Sequence, residues 1–335
     1  MRRAFLASRT TTGHMPEIHK AAVAHSETLA PEVQSDLILT YPDDAAAARY
    51  AALVGVEDVK ARLHNELALR LAPERLREWA DRHGQQGLVA DLASPQARTP
   101  VIVLTGDSGT GKTALAESVG DPLSRSLGVK FYGYRIAPSA GGARQLEGAL
   151  KPTRHAELAS MQPNPETRGH IFIYDEHYLL GAVPPSHRGG PARAPVAEML
   201  QTAEALAARG EPTVIVVCVS HPAQVDPAVR RLSLEPFQLH RPDAAQREIV
   251  LRRLTERLAL TDAELVRLVL ATGPSEEAPG YTYGDLVQRL MHTAVLASYP
   301  DRPLTAAAVV AAARRMSPTP TASGDDLESP QPPAD

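Results

Sequence analysis

Cysteine is nearly absent from this sequence, and its scarcity excludes one class of protein. Cys218 is the only cysteine among 335 residues. No intrachain disulfide framework can therefore form, and we expect a reducing, cytoplasmic location. Because Cys218 lies inside the apolar run 214–219, we interpret it as a small buried hydrophobic residue.

Long apolar runs and excess positive charge are also lacking. Runs such as 214–219 are far shorter than the roughly 20 residues that a membrane helix needs, so we expect no membrane segment. The opening Met-Arg-Arg-Ala-Phe-Leu-Ala has too short an apolar stretch for a signal peptide. The net charge of -4 argues against a strongly basic surface of the kind that binds nucleic acid non-specifically, but DNA binding through a local basic patch stays open.

Changes in residue pattern divide the chain into four parts. Residues 1–45 mix Thr, His, Ala and Pro without sustained periodicity, so we expect a flexible extension. Residues 46–238 are assigned to an α/β domain and residues 239–316 to a small all-helical domain. From residue 317 to 335 an acidic, Pro/Ser-rich tail cannot bury enough apolar surface to fold.

The fold class follows from an alternation of strands and helices. Continuous apolar runs at 101–104, 129–136, 171–174 and 214–219 predict strands that are covered on both faces. Their alternation with helical patterns predicts a parallel sheet with flanking crossover helices. Further helices are predicted at 44–53, 57–71, 73–84, 244–258, 262–271, 283–298 and 305–316.

The strongest chemical signal is a glycine-rich loop after the first of these strands. It matches the phosphate-binding loop pattern in the required context between a strand and a helix. Successive backbone N–H groups converge there on phosphates at a helix N-terminus. We expect Lys112 to reach the β and γ phosphates of ATP and the Thr113 hydroxyl to coordinate Mg²⁺. The predicted nucleotide contacts are Asp107, Ser108, Gly109, Thr110, Gly111, Lys112, Thr113 and Ala114.

Two acidic residues follow another buried strand. Asp175 and Glu176 come directly after the apolar run 171–174. We predict that Asp175 orients Mg²⁺ and that Glu176 polarises the water that attacks the γ phosphate. Two solvated acids at a strand end are the alternative, which the preceding phosphate loop disfavours.

The segment after the last predicted strand resembles part of the AAA+ ATPases, and more narrowly the AAA group. A polar residue, Ser220, ends the strand, and Asp-Pro-Ala leads into Arg230 and Arg231. The resemblance implies that Ser220 is a sensor residue, at a position where Asn is usual, and that its shorter hydroxyl slows hydrolysis. It also implies that Arg230 or Arg231 is an arginine finger that completes a neighbouring subunit's site. A pair of solvated helix arginines is the alternative.

The resemblance extends over residues 51–316. Residues 53–60 are similar to the segment that packs beside the adenine, which implies contacts from Val54 and Gly55. It also implies that ATP binds between the α/β domain and the helical lid.

The start of the lid helix departs from the family pattern. Residues 280–286 resemble the segment that carries the second sensor, but Tyr283 and Gly284 stand where the group commonly has Gly-Ala. We expect Tyr283 either to crowd or to stack on the nucleotide, next to Gly284. Arg289, further along the helix, is interpreted as a surface residue.

One segment lacks the aromatic residue of the members that thread polypeptides. Residues 137–144, after the second strand, contain none. Tyr132 and Tyr134 lie inside the predicted strand and are interpreted as buried packing. The sequence therefore argues against threading by an aromatic residue.

The residues and the resemblance together predict a cytoplasmic ATPase that couples hydrolysis of Mg²⁺-ATP to the remodelling of a protein complex. The resemblance implies a homo-oligomeric ring or spiral, most often of six subunits. An ATP-gated assembly factor or switch with slow hydrolysis, acting on DNA or another partner, is one alternative, and a monomeric regulator is another. A protein substrate is favoured over nucleic acid because basic character is missing; the sequence names neither the substrate nor the role of residues 1–45.

Overall fold

A six-stranded sheet forms the centre of the part of the chain that the computed structural model describes, which comprises residues 37–89, 101–136, 167–175, 212–225 and 227–322. The sheet order is β1-β3-β4-β5-β2-β6, and all neighbouring strands are parallel except β1, which runs antiparallel to β3. The strands are β1 (Leu37–Tyr41), β2 (Val101–Thr105), β3 (Lys130–Ile136), β4 (Thr167–Asp175), β5 (Thr213–Val219) and β6 (Phe237–Gln238). The predicted α/β class is confirmed.

The central strands bury their side chains on both faces of the sheet. Ile102 and Leu104 of β2 pack into one apolar cluster, whereas Val101 and Val103 pack into a second cluster on the opposite face, as alternation along a strand requires. Cys218 in β5 is fully buried, and burial raises the pKa of its thiol to about 12. The interpretation of this cysteine as a packing residue is confirmed.

Helices cover the first of these faces. Leu63, Leu67 and Leu71 form a stripe that is fully buried in the same cluster as Ile102, because residues four apart share one side of a helix. The helices on the α/β side are α1 (Asp44–Ala52), α2 (Glu57–Leu71), α3 (Pro73–His83), α4 (Gln86–Val89), α5 (Lys112–Ala116), α6 (Gly120–Leu127) and α7 (Pro227–Arg231). The predicted helices that begin at residues 44, 57 and 73 are confirmed.

Strand β1 is a correction to the sequence analysis, which placed residues 1–45 in a flexible extension. Tyr41, at the end of β1, is fully buried, and its hydroxyl donates to the Glu117 carbonyl oxygen at 2.7 Å. Its ring fills the space beside Gly120 and Gly133, where an added Cβ would lie 2.2 Å and 3.0 Å from ring atoms. Ordered structure therefore begins by Leu37, and contacts with residues far along the chain explain why local periodicity missed it.

The helical part has a core of its own. Leu251, Leu268, Leu286 and Leu290 are fully buried together. Its helices are α8 (Ala244–Leu254), α9 (Asp262–Ala271), α10 (Met291–Ser298), which a π-helical segment Asp285–Leu290 precedes, and α11 (Ala306–Arg315). The hydroxyl of Thr305 caps α11 by accepting from the Ala308 N–H, so the predicted Thr cap is confirmed.

One predicted helix is shorter than expected. The helix expected over 244–258 ends at Leu254 and continues as a 3₁₀ turn, and the left-handed residue Ala259 (φ 45°) then redirects the chain.

Among the helices of the described ranges, none has both the length and the apolar character that crossing a bilayer requires.

Candidate nucleotide-binding site

A cavity of about 780 Å³ lies between the carboxyl end of the sheet and the helical part. In parallel α/β sheets this edge is where ligands bind. Most of the residues predicted to contact the nucleotide line it, together with the predicted metal ligand Asp175 and the predicted sensor Ser220. The nucleotide-contact residues in the lining are Val54, Ser108, Gly109, Thr110, Gly111, Lys112, Thr113, Ala114, Tyr283 and Gly284. Segments that are far apart in sequence therefore meet at one site.

The loop between β2 and α5 has the backbone conformation that its glycines allow. Gly109 and Gly111 have φ angles of 83° and 99°, a left-handed region that glycine adopts without strain. Lys112 is 8% exposed, and its Nζ donates to the carbonyl oxygens of Gly106 and Asp107 at 2.6 Å and 3.0 Å. The lysine ammonium is thus held over the loop in which the phosphates are expected.

Two oxygen groups meet at the bottom of the cavity. The Thr113 hydroxyl donates to Asp175 Oδ2 at 3.2 Å, which joins the start of α5 to the end of β4. A hydroxyl and a carboxylate are hard oxygen ligands of the kind that Mg²⁺ prefers alongside phosphate oxygens. Thr113 and Asp175 therefore fit the donor set of a magnesium site, and their role as magnesium ligands stays a prediction.

Behind Asp175 lies an ion cluster that the sequence analysis missed. Arg135 Nη2 lies 3.6 Å from Asp175 Oδ2, and Arg135 Nη1 lies 3.1 Å from Glu117 Oε1. The Glu117 side chain is 15% exposed, and burial raises the pKa of its carboxyl, whereas the positive charges of Arg135 and Arg49 lower it. In the sequence, only the alternation of side chains along β3 indicates which way Arg135 points. That alternation does not reveal that Glu117 and Asp175 are its partners.

The lid contacts the phosphate loop directly. Gly284 N–H donates to the Gly109 carbonyl oxygen at 2.8 Å. The Tyr283 hydroxyl donates to Gln246 Oε1 at 3.1 Å, and burial raises its pKa to about 12, with Asp243 the next cause. The Tyr283 ring lines the cavity with its hydroxyl tied to α8.

Two residues predicted to contact the nucleotide do not line the cavity. Gly55 faces Gln246 instead, because an added Cβ would lie 2.4 Å from its Cδ atom. The carboxylate of Asp107 accepts from Arg241 Nε and from the Ala322 N–H. Val54 and Val56 on either side of Gly55, and Ser108 after Asp107, line the cavity.

The predicted catalytic residues fall into three groups. Ser220, at the end of β5, lines the cavity together with Lys112. Arg230 and Arg231 are exposed on α7 and do not line it, and Arg230 Nη2 donates to the Pro222 carbonyl oxygen of its own loop at 2.9 Å. Glu176 lies outside the described residues.

Comparisons with known proteins place this geometry in a family. The family model for "ATPase family associated with various cellular activities (AAA)" matches residues 102–242. The chain in the structure of Rhizobiales Trip13 is 30% identical in sequence to this chain. The match covers 84% of this chain and 98% of that chain, and the two structures superpose with a TM-score of 0.57. This chain belongs to the AAA+ ATPase superfamily.

Two further comparisons extend over nearly the whole of each AAA+ relative. CD-NTase-associated protein 6 from Escherichia coli (strain MS 115-1) is 28% identical over 292 residues, which are 84% of this chain and 94% of the relative. A chain in the structure of the E. coli MS115-1 HORMA:CdnC:Trip13 complex has a TM-score of 0.69 at 27% identity, over 87% of this chain and 99% of that chain. The shared AAA+ architecture therefore includes both the sheet and the helical lid.

Proposed function

We propose that this chain is a magnesium-dependent ATPase that binds ATP in the cavity between sheet and lid. The observation that carries the proposal is the convergence of Lys112, Thr113 and Asp175 at the phosphate loop. Lys112 binds the β and γ phosphates, and the Thr113 hydroxyl and the Asp175 carboxylate hold Mg²⁺. When bound, Mg²⁺ neutralises the charge that develops on the phosphate oxygens.

The attacking water is assigned to residues near the ends of two strands. Glu176 follows β4 directly, and we propose that it takes the proton of the water as general base. Ser220 lines the same cavity, and its hydroxyl orients this water. The adenine end of the cavity is formed by Val54 and Tyr283.

Two substitutions separate nucleotide binding from hydrolysis. Lys112→Ala is expected to abolish binding of a fluorescent ATP analogue, because the ammonium group that faces the phosphates is lost. Lys130→Ala is the matched control, since Lys130 is exposed at the amino end of β3. Glu176→Gln is expected to bind ATP normally while phosphate release falls by about 10²-fold or more. Normal turnover in Glu176→Gln would remove the role proposed for that residue.

The proposed macromolecular partner is a protein. A relative of this chain occurs in a complex named for HORMA, CdnC and Trip13 components, so we propose that this ATPase remodels a complex that contains a HORMA-domain protein. The test is co-elution of Glu176→Gln with a HORMA-domain protein from the same source, in the presence of ATP and of ADP. Co-elution of the HORMA-domain protein in ATP but not in ADP supports the proposal. No co-elution in either nucleotide contradicts it.

The proposed working form is a homo-oligomeric ring or spiral in the cytoplasm, with six subunits favoured. Arg230 and Arg231 are exposed on α7 and lie outside their own cavity. An exposed arginine is able to reach the ATP of a neighbouring subunit, where its charge stabilises the transition state.

A second candidate function is an ATP-gated assembly factor with slow hydrolysis. Ser220 favours it, because the serine hydroxyl in the cavity lining is shorter than the side chain usual at that position. Steady-state turnover with and without the protein partner distinguishes the two. Brisk hydrolysis that the partner stimulates supports the remodelling ATPase, whereas slow turnover with ATP-dependent oligomerisation supports the assembly factor.

A further inference from the structure

One guanidinium group joins three parts of the chain beside the phosphate loop. Arg241, which follows β6, has a side chain that is only 14% exposed. Its Nε donates to Asp107 Oδ2 at 2.6 Å, and its Nη1 donates to the Gly280 carbonyl oxygen at 2.7 Å. Its Nη2 donates to the carbonyl oxygens of Thr319 and Pro320 at 2.8 Å and 2.9 Å. Arg241 therefore contacts the phosphate loop, the segment before the lid helix and the residues after α11.

The residues after α11 are held by two carboxylates as well. We call residues 317–322 the C-terminal latch. Within it, the Thr319 N–H and Oγ1 donate to Asp285 Oδ2 and Oδ1 at 2.9 Å and 2.8 Å. The Ala322 N–H donates to Asp107 Oδ1 at 2.9 Å. The composition of residues 317–335 predicts an unfolded tail, and these contacts correct that expectation for residues 317–322.

Asp285, the anchor in the lid, is charged and almost completely buried. It is 1% exposed. Burial acts to raise the pKa of its carboxyl, but hydrogen bonds from Thr319, Thr282 and Arg289 outweigh that effect, so the pKa lies below its ordinary value. A buried carboxylate is stable only while donors satisfy it, so the latch and the start of the lid helix depend on each other.

The carboxylate of Asp107 needs the same compensation for a different reason. It belongs to the loop that is proposed to receive an anionic triphosphate, yet it is turned out of the cavity towards Arg241. Like charges repel strongly when they are partly shielded from water, and the Asp107 side chain is 20% exposed. Arg241 compensates the charge of this carboxylate, the Ala322 N–H donates a hydrogen bond to it, and together they hold it away from the phosphates.

We propose that Arg241 is a positioning residue for ATP binding and that the C-terminal latch couples the state of the lid to the phosphate loop. The inference rests on the proposed function, because it requires ATP at that loop. With the latch closed, the Asp107 carboxylate is paired with Arg241 and the Ala322 N–H, and ATP binds tightly. Coupling between two sites is reciprocal, so bound ATP stabilises the closed latch to the same extent.

Two truncations form a matched pair that tests the coupling. A chain that ends at Gly324 retains all latch residues and keeps its new terminal carboxylate off Ala322, and we expect it to bind a fluorescent ATP analogue with wild-type affinity. A chain that ends at Met316 loses the latch, and we expect its affinity to fall about tenfold, because charged hydrogen bonds at two carboxylates are removed. Equal affinities of the two truncated chains would overturn the inference.

Point variants test the same contacts with less disturbance of folding. Thr319→Val removes one hydroxyl donor and retains the backbone N–H, so a roughly threefold loss of ATP affinity is expected. Arg241→Lys retains the charge but cannot make all four hydrogen bonds, and Arg241→Met loses both. ATP affinity is expected to decrease in the order wild type, Arg241→Lys, Arg241→Met. Wild-type affinity in both Arg241→Met and Thr319→Val would contradict the role assigned to Arg241 and the latch.

Hydrogen exchange distinguishes coupling from a purely structural role of the latch, because a purely structural latch would show no effect of ATP on its amide exchange. ATP is expected to slow exchange of the Thr319 and Ala322 amides in the wild type, and to have no such effect in Lys112→Ala. Absence of an ATP effect in a wild type that binds ATP would reject the latch and leave the proposed function standing. A wild type that binds no ATP would reject the proposed function itself and this inference with it.

Discussion

At the scale of single residues, the charge beside Asp175 is balanced by Glu117. Arg135 lies between these two carboxylates, at 3.1 Å from Glu117 and 3.6 Å from Asp175. A cation so close to a proposed magnesium ligand is expected to compete with Mg²⁺ for the carboxylate. Glu117 offsets that competition because it offers the guanidinium a second, more deeply buried acid.

Glu117→Gln is therefore expected to raise the Mg²⁺ concentration required for half-maximal binding of an ATP analogue. The expected factor is roughly three, because partly exposed ion pairs contribute up to about 1 kcal/mol. The matched control is Glu66→Gln, since Glu66 pairs with Arg70 four residues along α2 with similar burial. A magnesium requirement that is unchanged in Glu117→Gln, or equally raised in Glu66→Gln, would count against this account.

At the scale of elements, the contact between the phosphate loop and the lid depends on a glycine. Gly109 has φ 83°, and an added Cβ would lie 2.6 Å from Thr282 Oγ1. Gly109→Ala is therefore expected to push the lid from the loop, break the Gly284 N–H bond to Gly109, and weaken ATP binding by about tenfold.

Gly128→Ala separates the effect of lid contact from that of backbone strain. Gly128 has a similar φ of 67° but no atoms within 4 Å of an added Cβ. We expect this variant to lose roughly 1–2 kcal/mol of unfolding free energy, the cost of a left-handed non-glycine residue, and to bind ATP normally. Titration with the ATP analogue and denaturant unfolding of both variants provide the measurements; normal ATP affinity in Gly109→Ala would refute the expectation.

The elements also show which features a single sequence contains. The phosphate loop and the cap of α11 were predictable, because each depends on a few residues close together in the chain. Strand β1 was not, since its stability depends on space left by Gly120 and Gly133. The network around Arg241 was equally out of reach, because its partners Asp107 and Thr319 lie 134 and 78 residues away and no local pattern records such pairs.

At the scale of the whole molecule, the exposed arginines of α7 predict sites that are shared between subunits. Lys112 belongs to the cavity, whereas Arg230 and Arg231 do not. If one of these arginines acts on the ATP of a neighbouring subunit, a subunit that lacks it still has an intact phosphate loop. A Lys112→Ala subunit likewise still has intact arginines to donate.

Mixing two inactive variants should therefore restore activity. We expect Lys112→Ala and the double variant Arg230→Ala/Arg231→Ala each to hydrolyse ATP far more slowly than wild type. In a randomly mixed 1:1 ring, about a quarter of the interfaces join an intact phosphate loop to intact arginines, because each subunit contributes one half of a shared site. Steady-state phosphate release by the mixture should approach about a quarter of the wild-type rate if interfaces act independently.

The single variants identify the residue that acts. Arg230 also donates to the Pro222 carbonyl oxygen in its own loop, so Arg230→Ala is expected to alter that loop as well as the interface. Arg231→Ala removes an exposed guanidinium for which the described part of the chain shows no such contact. The single variant that is inactive alone and is rescued by Lys112→Ala has lost the acting arginine, so the substituted residue is the one that acts. A mixture that remains as inactive as Lys112→Ala alone, although the subunits co-assemble, would mean that neither arginine works across the interface.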